Sequence, residues 1–260
     1  QGHGVYADQL HSLVPALVIP GVPLFVWWRG APPLRSPMHK RLRQMSQRMI
    51  VDSSGFRDAF GGLADEVLKC GAESCAISDL AWGRLERWRE QIADLFDPAD
   101  TSPYLVQIER LAITSTTGAH VYPTEAVLLV SWLASRLGWQ TRSPLTEDRE
   151  EWVCRFEREG RTIECRVESA GGGQDSSDGG AIAEVVIEAG VARFELSAEP
   201  GGGSVKQKIA VSGVARTDSR IGMKPPDLLS LLSQELEMVG NDEVYEQAVA
   251  VGARLSGAQL

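Results

Sequence analysis

Glu151-Trp152-Val153-Cys154-Arg155-Phe156-Glu157-Arg158-Glu159-Gly160-Arg161-Thr162-Ile163-Glu164-Cys165-Arg166-Val167-Glu168 alternates apolar and polar residues on either side of Glu159-Gly160. A two-residue turn at that dipeptide predicts a hairpin of strands 151–158 and 161–168, with Cys154 directly opposite Cys165. The same register puts Trp152, Phe156, Ile163 and Val167 on the cysteine face, which is therefore the core face. A buried thiol pair is the reading this supports. The alternative is a redox disulfide, strained here because a hydrogen-bonded antiparallel pair holds its Cα atoms about 5.5 Å apart.

Downstream, strands over 181–188, 191–197 and 205–212 extend the hairpin into an antiparallel meander that needs no crossovers. Its joints are Ala189-Gly190 and the Gly/Ser-rich loops 171–180 and 200–204. Helical patterning closes the chain over 227–239 and 242–255. Upstream the texture is different. Residues 18–28 read as a turn and a continuously apolar strand, 39–49 as a basic helix, and Ile50-Val51 as a strand ending in Asp52-Ser53-Ser54-Gly55. Strand, helix, strand implies a parallel crossover. Helices follow over 56–69 and 78–96, the second capped by Ser78 or Asp79 and striped by Leu85, Trp88, Ile92, Leu95 and Phe96. A strand over 104–114 precedes a helix over 123–137, apolar on most sides, buried, and stopped by Gly138. The fold class read from this pattern is an α/β part with a short, largely parallel sheet over 1–142, then an antiparallel β meander with terminal helices over 143–260.

The chain has 260 residues, with 26 Lys and Arg against 35 Asp and Glu, a formal net charge of −9. That balance lacks the basic footprint of a nucleic-acid binder. The apolar stretch Leu13 to Trp28 contains three prolines and a glycine and falls short of the roughly 20 residues of a membrane span. Four cysteines make no disulfide scaffold and fit a reducing, cytoplasmic setting.

A hydrolase reading would use Ser53 or Ser54 beside Asp52, with a base from His3, His11, His39 or His120. No Gly-x-Ser-x-Gly elbow supports it, and Asp52-Ser53-Ser54 reads equally as a strand-end turn. Walker-type and Gly-x-Gly-x-x-Gly motifs are absent, and Gly171-Gly172-Gly173 lies between strands. Loops at Arg29 and at Asp52–Ser54 still fall at the C-terminal edge of a parallel sheet, where a sugar phosphate would bind. Cys70 and Cys75 lack the further ligands of a zinc site. Seven tryptophans exceed four tyrosines, and Trp28-Arg29, Trp82 with Arg84, and Trp88-Arg89 have the composition of interface hot spots. An aromatic core with exposed arginines would give the same pattern.

Four motifs in order carry a resemblance: Leu13-Val14-Pro15 with Gly21-Val22-Pro23-Leu24-Phe25-Val26-Trp27-Trp28; Ile50-Val51-Asp52-Ser53-Ser54; Asp79-Leu80-Ala81-Trp82-Gly83-Arg84-Leu85 with Trp88-Arg89; and Trp132-Leu133-Ala134-Ser135-Arg136-Leu137-Gly138-Trp139. Together they resemble the glucose-6-phosphate dehydrogenase assembly protein family, OpcA. The resemblance implies a non-catalytic, cofactor-free protein that binds glucose-6-phosphate dehydrogenase, favours its active oligomer as an allosteric activator, and supports NADPH production in the oxidative pentose phosphate pathway. Family members carry further sequence before the first motif, so the chain is expected to be truncated or divergent there. The family also implies a thioredoxin link, which matches no particular cysteine of this chain. The residues expected at the partner interface are Trp28, Arg29, Asp52, Ser53, Trp82, Arg84, Trp88 and Arg89. The alternative is a sugar-phosphate binding protein or enzyme using the loops near Arg29 and Asp52–Ser54.

Overall fold

The computed structural model describes residues 18–257 except 20, 35, 57–58, 73–74, 117–121, 149–150, 171–180 and 239. Three short parallel strands form the first sheet: β1 (Phe25–Trp27), β2 (Arg48–Val51) and β3 (Ala76–Asp79), in the order β1-β2-β3. Strand β1 forms the end of the predicted turn and strand over 18–28, after Pro23, which has no N–H to give a ladder. Helix α1 (Pro37–Met45) links β1 to β2, with the Ser36 hydroxyl accepting the His39 N–H at 3.0 Å. Helix α2 (Ala59–Ala72) links β2 to β3.

The expected helix over 78–96 is three elements. β3 takes Ala76–Asp79, a turn of helix α3 spans Leu80–Arg84, and α4 runs over Glu86–Asp94. The Asp79 carboxylate caps α3 by accepting the Ala81 N–H. The break at Leu85 does not disturb the apolar stripe, whose five members are all buried. Likewise the expected strand over 104–114 opens as a 3-10 turn (Ser102–Gln107) before β4 (Ile108–Ser115). Helix α5 (Thr124–Leu137) matches its reading: Ala126–Val130, Leu133 and Ala134 are buried and Trp132 and Leu137 partly so, and Gly138 ends it at φ 68° while the Trp139 N–H reaches the Ala134 carbonyl.

Eight strands make the second sheet, in the order β11-β10-β9-β8-β4-β7-β6-β5. They are β5 (Gln140–Asp148), β6 (Glu151–Arg158), β7 (Arg161–Ser169), β8 (Ile182–Ala189), β9 (Ala192–Ala198), β10 (Ser204–Val211) and β11 (Val214–Gly222), with β4. The hairpin register is as read, Cys154 facing Cys165 and Phe156 facing Ile163, across a turn with positive φ at Glu159 and Gly160. A meander free of crossovers is not what the chain builds. β4 lies between β7 and β8, parallel to the first and antiparallel to the second. Its Leu111 and Ile113 are fully buried, so the central position suits its apolar run. The sheet thus draws β4 and part of β5 from before residue 143.

One face of this sheet packs on α5 and α7 (Glu243–Leu255), joining a core that runs from Val51 to Leu255. The other face carries ion pairs between neighbouring strands, such as Arg110 and Arg193 on Glu188 at 2.7 Å each and Arg155 on Glu164 at 3.2 Å. These exposed pairs add little stability individually but leave few uncompensated charges on the face. Helix α6 (Leu228–Glu237) lies over the first sheet, Leu231 packing on Ile50 and Leu80. Among the described residues no helix is long and apolar enough to cross a membrane.

Candidate functional site

The C-terminal ends of β2 and β3 bring Asp52 and Asp79 side by side, in the position where open parallel sheets receive ligands. Here the position is filled from within. Asp79 Oδ1 accepts the N–H groups of Ser53 and Ala81 at 3.0 Å each, and Oδ2 accepts the Tyr245 hydroxyl of α7 at 3.2 Å. Burial pushes Asp79 up to about 6, against the donors that favour its charged form. The neighbouring Tyr245 hydroxyl is driven well above its usual range by burial and by Asp79.

Arg84, at the end of α3, grips Asp52 with two nitrogens at 2.7 and 3.0 Å and gives its Nε–H to Glu125 of α5 at 2.6 Å. Burial works to raise the Asp52 pKa, but the guanidinium and the Ser54 donors more than offset it and hold the carboxyl below its usual range. Glu125 is more enclosed, and burial lifts it to about 7 in spite of Arg84. Burial alone would lower Arg84, yet its two carboxylates hold it above the ordinary arginine value. Ser54 donates its hydroxyl to Asp52 at 2.6 Å, and Ser53 is completely buried.

A second layer ties α7 and α4 to the same edge. Trp82 Nε1–H donates to Asp242 Oδ2 at 2.8 Å, and Asp242 Oδ1 caps α7 through the Tyr245 N–H. Arg89 lies over the Trp82 ring, 3.5 Å from its centroid, and donates to the Trp82 carbonyl. Burial lowers Arg89 to about 10. Elsewhere on the first sheet, Arg48 of β2 donates to Ser78 and to the carbonyls of Met238 and Gly240, latching the segment after α6.

Of the eight residues expected at the partner interface, the structure gathers Asp52, Ser53, Trp82, Arg84 and Arg89 at this edge. Trp88 is buried in the core beside it, while Trp28 and Arg29 follow β1 one strand along the same edge, with the Trp28 N–H donating to the Ile50 carbonyl at 2.8 Å. Trp82 and Trp88 are 5% and 6% exposed, so they brace the interior; Arg29 is exposed, and Trp28, Asp52, Arg84 and Arg89 are partly exposed. Sequence reasoning missed Glu125, Asp242 and Tyr245. A lone acid beside the apolar run Ala126–Val130 was the available signal for Glu125, since a charge there must be paired. His39, the one described histidine, is buried against Trp28 and 3.8 Å from Glu66; His3, His11, His120 and Gly171–Gly173 lie outside the described residues. All four cysteines are buried thiols, and burial together with Cys154 raises the Cys165 thiol.

Chemically, this edge offers carboxylate oxygens where a phosphate site offers N–H groups. The strand-end amides of Ser53, Ser54 and Ala81 are already bonded to Asp52 and Asp79. The Arg84 guanidinium already has two anionic partners, so an incoming phosphate would have to displace a carboxylate.

The fold and the filled edge together define an α+β protein whose parallel-sheet edge is closed by its own side chains. Two solved structures share the path of the chain: the oxidoreductase yvaA from Bacillus subtilis, 8% identical with a TM-score of 0.52 over 92% of this chain and 78% of that one, and the dehydrogenase MviM from Clostridium difficile, 10% identical with a TM-score of 0.51 over 90% and 77%. Residues 75–249 match the C-terminal domain, and residues 1–66 the N-terminal domain, of the OpcA family described as a glucose-6-phosphate dehydrogenase subunit, and the chain belongs to this family. It is 26% identical to an OxPP cycle protein OpcA of Nostoc punctiforme over 98% of this chain and 56% of the relative. It is 32% identical to its counterpart in Synechococcus elongatus over 58% of this chain and 33% of the relative. The chain spans about half the length, or less, of these curated relatives.

Proposed function

We propose that the chain binds glucose-6-phosphate dehydrogenase and favours its active oligomer, acting as a non-catalytic allosteric activator in the cytoplasm and supporting NADPH supply through the oxidative pentose phosphate route. The observation that carries this reading is family membership across both halves of the chain. The ion-paired strand edge supports it, because the place where an open parallel sheet would hold a ligand is occupied by Arg84 and its carboxylates. Activation then works by differential binding: each 1.4 kcal/mol of preference for the active conformer shifts its population about tenfold. Arg29, Arg84 and Arg89 with Trp28 are the surface members of the proposed contact; Asp52, Ser53, Trp82 and Trp88 hold them in place. A thioredoxin link would act through the four buried thiols.

The test is a titration of the dehydrogenase from the same organism with the purified chain at low substrate, with size-exclusion chromatography of the same mixtures. A saturable rise in rate with co-elution supports the reading. Folded chain that neither co-elutes nor changes the rate overturns it.

A further inference from the structure

Beside the strand edge, on the far side of Arg84, α4 and the rim of the large sheet line an open pocket of about 150 Å³. Trp88, Ile182, Val205, Met223 and Pro225 give it almost wholly apolar walls, with Arg84 and Arg87 at its margin. Its outer lip is built from small exposed residues, Ala181 and Ala198. A cavity of about 150 Å³ with such a lining takes one benzene ring. The wall continues through Pro226 into the first turn of α6, where Leu228 is 47% and Leu229 75% exposed. A pocket sized for one ring beside exposed leucines is the arrangement of a protein contact with a single anchor.

Charge selects what accompanies the ring. Arg84 is neutralised by Asp52 and Glu125, but Arg87 is 62% exposed and, among the described residues, pairs with Glu90 at 3.1 Å, itself 47% exposed. Such a pair is worth little and exchanges partners readily. We propose that this pocket receives a phenyl-sized side chain carried next to a carboxylate on the protein partner, with Arg87 exchanging Glu90 for that carboxylate. The assignment of the partner rests on the dehydrogenase-binding reading.

The probe for the chemistry is 3-phenylpropionate, added to the full chain labelled with [methyl-13C]methionine. The Met223 methyl resonance, identified with Met223→Leu, is expected to shift saturably. The uncharged 3-phenylpropanol is expected to bind about tenfold more weakly, and Arg87→Glu to remove that difference. The probe for the source is the dehydrogenase itself. Ala198→Trp or Ala181→Trp fills the pocket from an exposed position, and whichever variant keeps the parent melting temperature is expected to lose the probe shift and at least about tenfold in dehydrogenase affinity. A silent Met223 methyl at millimolar probe overturns the ring site. A filled variant that holds the dehydrogenase as tightly as the parent overturns the partner-borne anchor while leaving the activator reading intact. Failure of the unsubstituted chain to bind the dehydrogenase overturns that reading, and the assignment of the ring to that partner with it.

Discussion

Arg84 keeps two carboxylates of different depth in balance, and removing it exposes each to the other. Breaking a buried pair costs about 3–5 kcal/mol; with the Arg84 side chain 27% exposed, the lower end applies. Arg84→Ala is therefore expected to lose about 3 kcal/mol in urea unfolding at pH 8, and much less at pH 5.5, where Glu125 accepts a proton. The intact protein shows the same logic. Asp79 and Glu125 titrate near 6 and 7 when folded, above 3.8 and 4.5. The folded state thus holds more protons than the unfolded chain between those values, so their stabilising contribution is full below about pH 4 and is lost as the pH rises through 6 to 7. Asp52 runs the other way, contributing above its ordinary value and losing that contribution on stronger acidification. Urea midpoints should rise from pH 8 to about 5.5, and Asp79→Asn should flatten the step near 6. A midpoint falling steadily over that interval would refute the assignment. Sequence alone marked Asp52, Arg84 and the Asp79 cap, but not their union with Glu125, because pairing across the fold leaves no local trace in the chain.

Among the elements, α3 and α6 meet so closely that a Cβ on Gly83 would stand 2.9 Å from Leu231 Cδ2. Leu231→Ala is expected to cost about 2–5 kcal/mol through the cavity left against Ile50 and Leu80. Gly83→Ala alone should destabilise by about 1–3 kcal/mol through overpacking. In the Leu231→Ala background the same change should be neutral or favourable, a coupling that a double-mutant cycle measures and that independent sites would not show. The facing strands make a different prediction. Cys154 and Cys165 are each 1% exposed, so all four thiols should resist a thiol reagent in the native state and react together on unfolding; native-state loss of two thiols on mild oxidation would restore the redox reading. The hairpin around them was legible because 162–168 alternates strictly and 151–157 does so but for Val153, about one turn. Strands β5 and β11 were not, since these edge strands are polar on most positions and β5 contains Pro144. Only four residues long, β3 ends in a helix cap, so its signal merges with the helix that follows.

At the scale of the molecule, the core is continuous from Val51 in the first sheet to Leu255 at the end of α7. Near-ultraviolet and far-ultraviolet dichroism should therefore report one coincident thermal transition, whereas separately melting halves would split the two probes. The α/β-then-β order was readable from the chain because apolar residues recur at helical spacing in its first part and alternate through its later strands. The insertion of β4 was not, since hydrophobic pattern fixes which face a strand buries and says nothing about which edges it joins.

That insertion also sets a timetable for synthesis. β4 leaves the ribosome well before either neighbour: residue 115 ends it, and its two flanking strands end at 169 and 189. At about 5–20 residues per second, its second edge waits roughly 4–15 s for a partner. Throughout that interval Leu111 and Ile113 belong to a nascent strand with at least one open edge, the species most prone to pair with the wrong chain. Refolding yield should accordingly fall as concentration rises, with the loss set before β8 has docked.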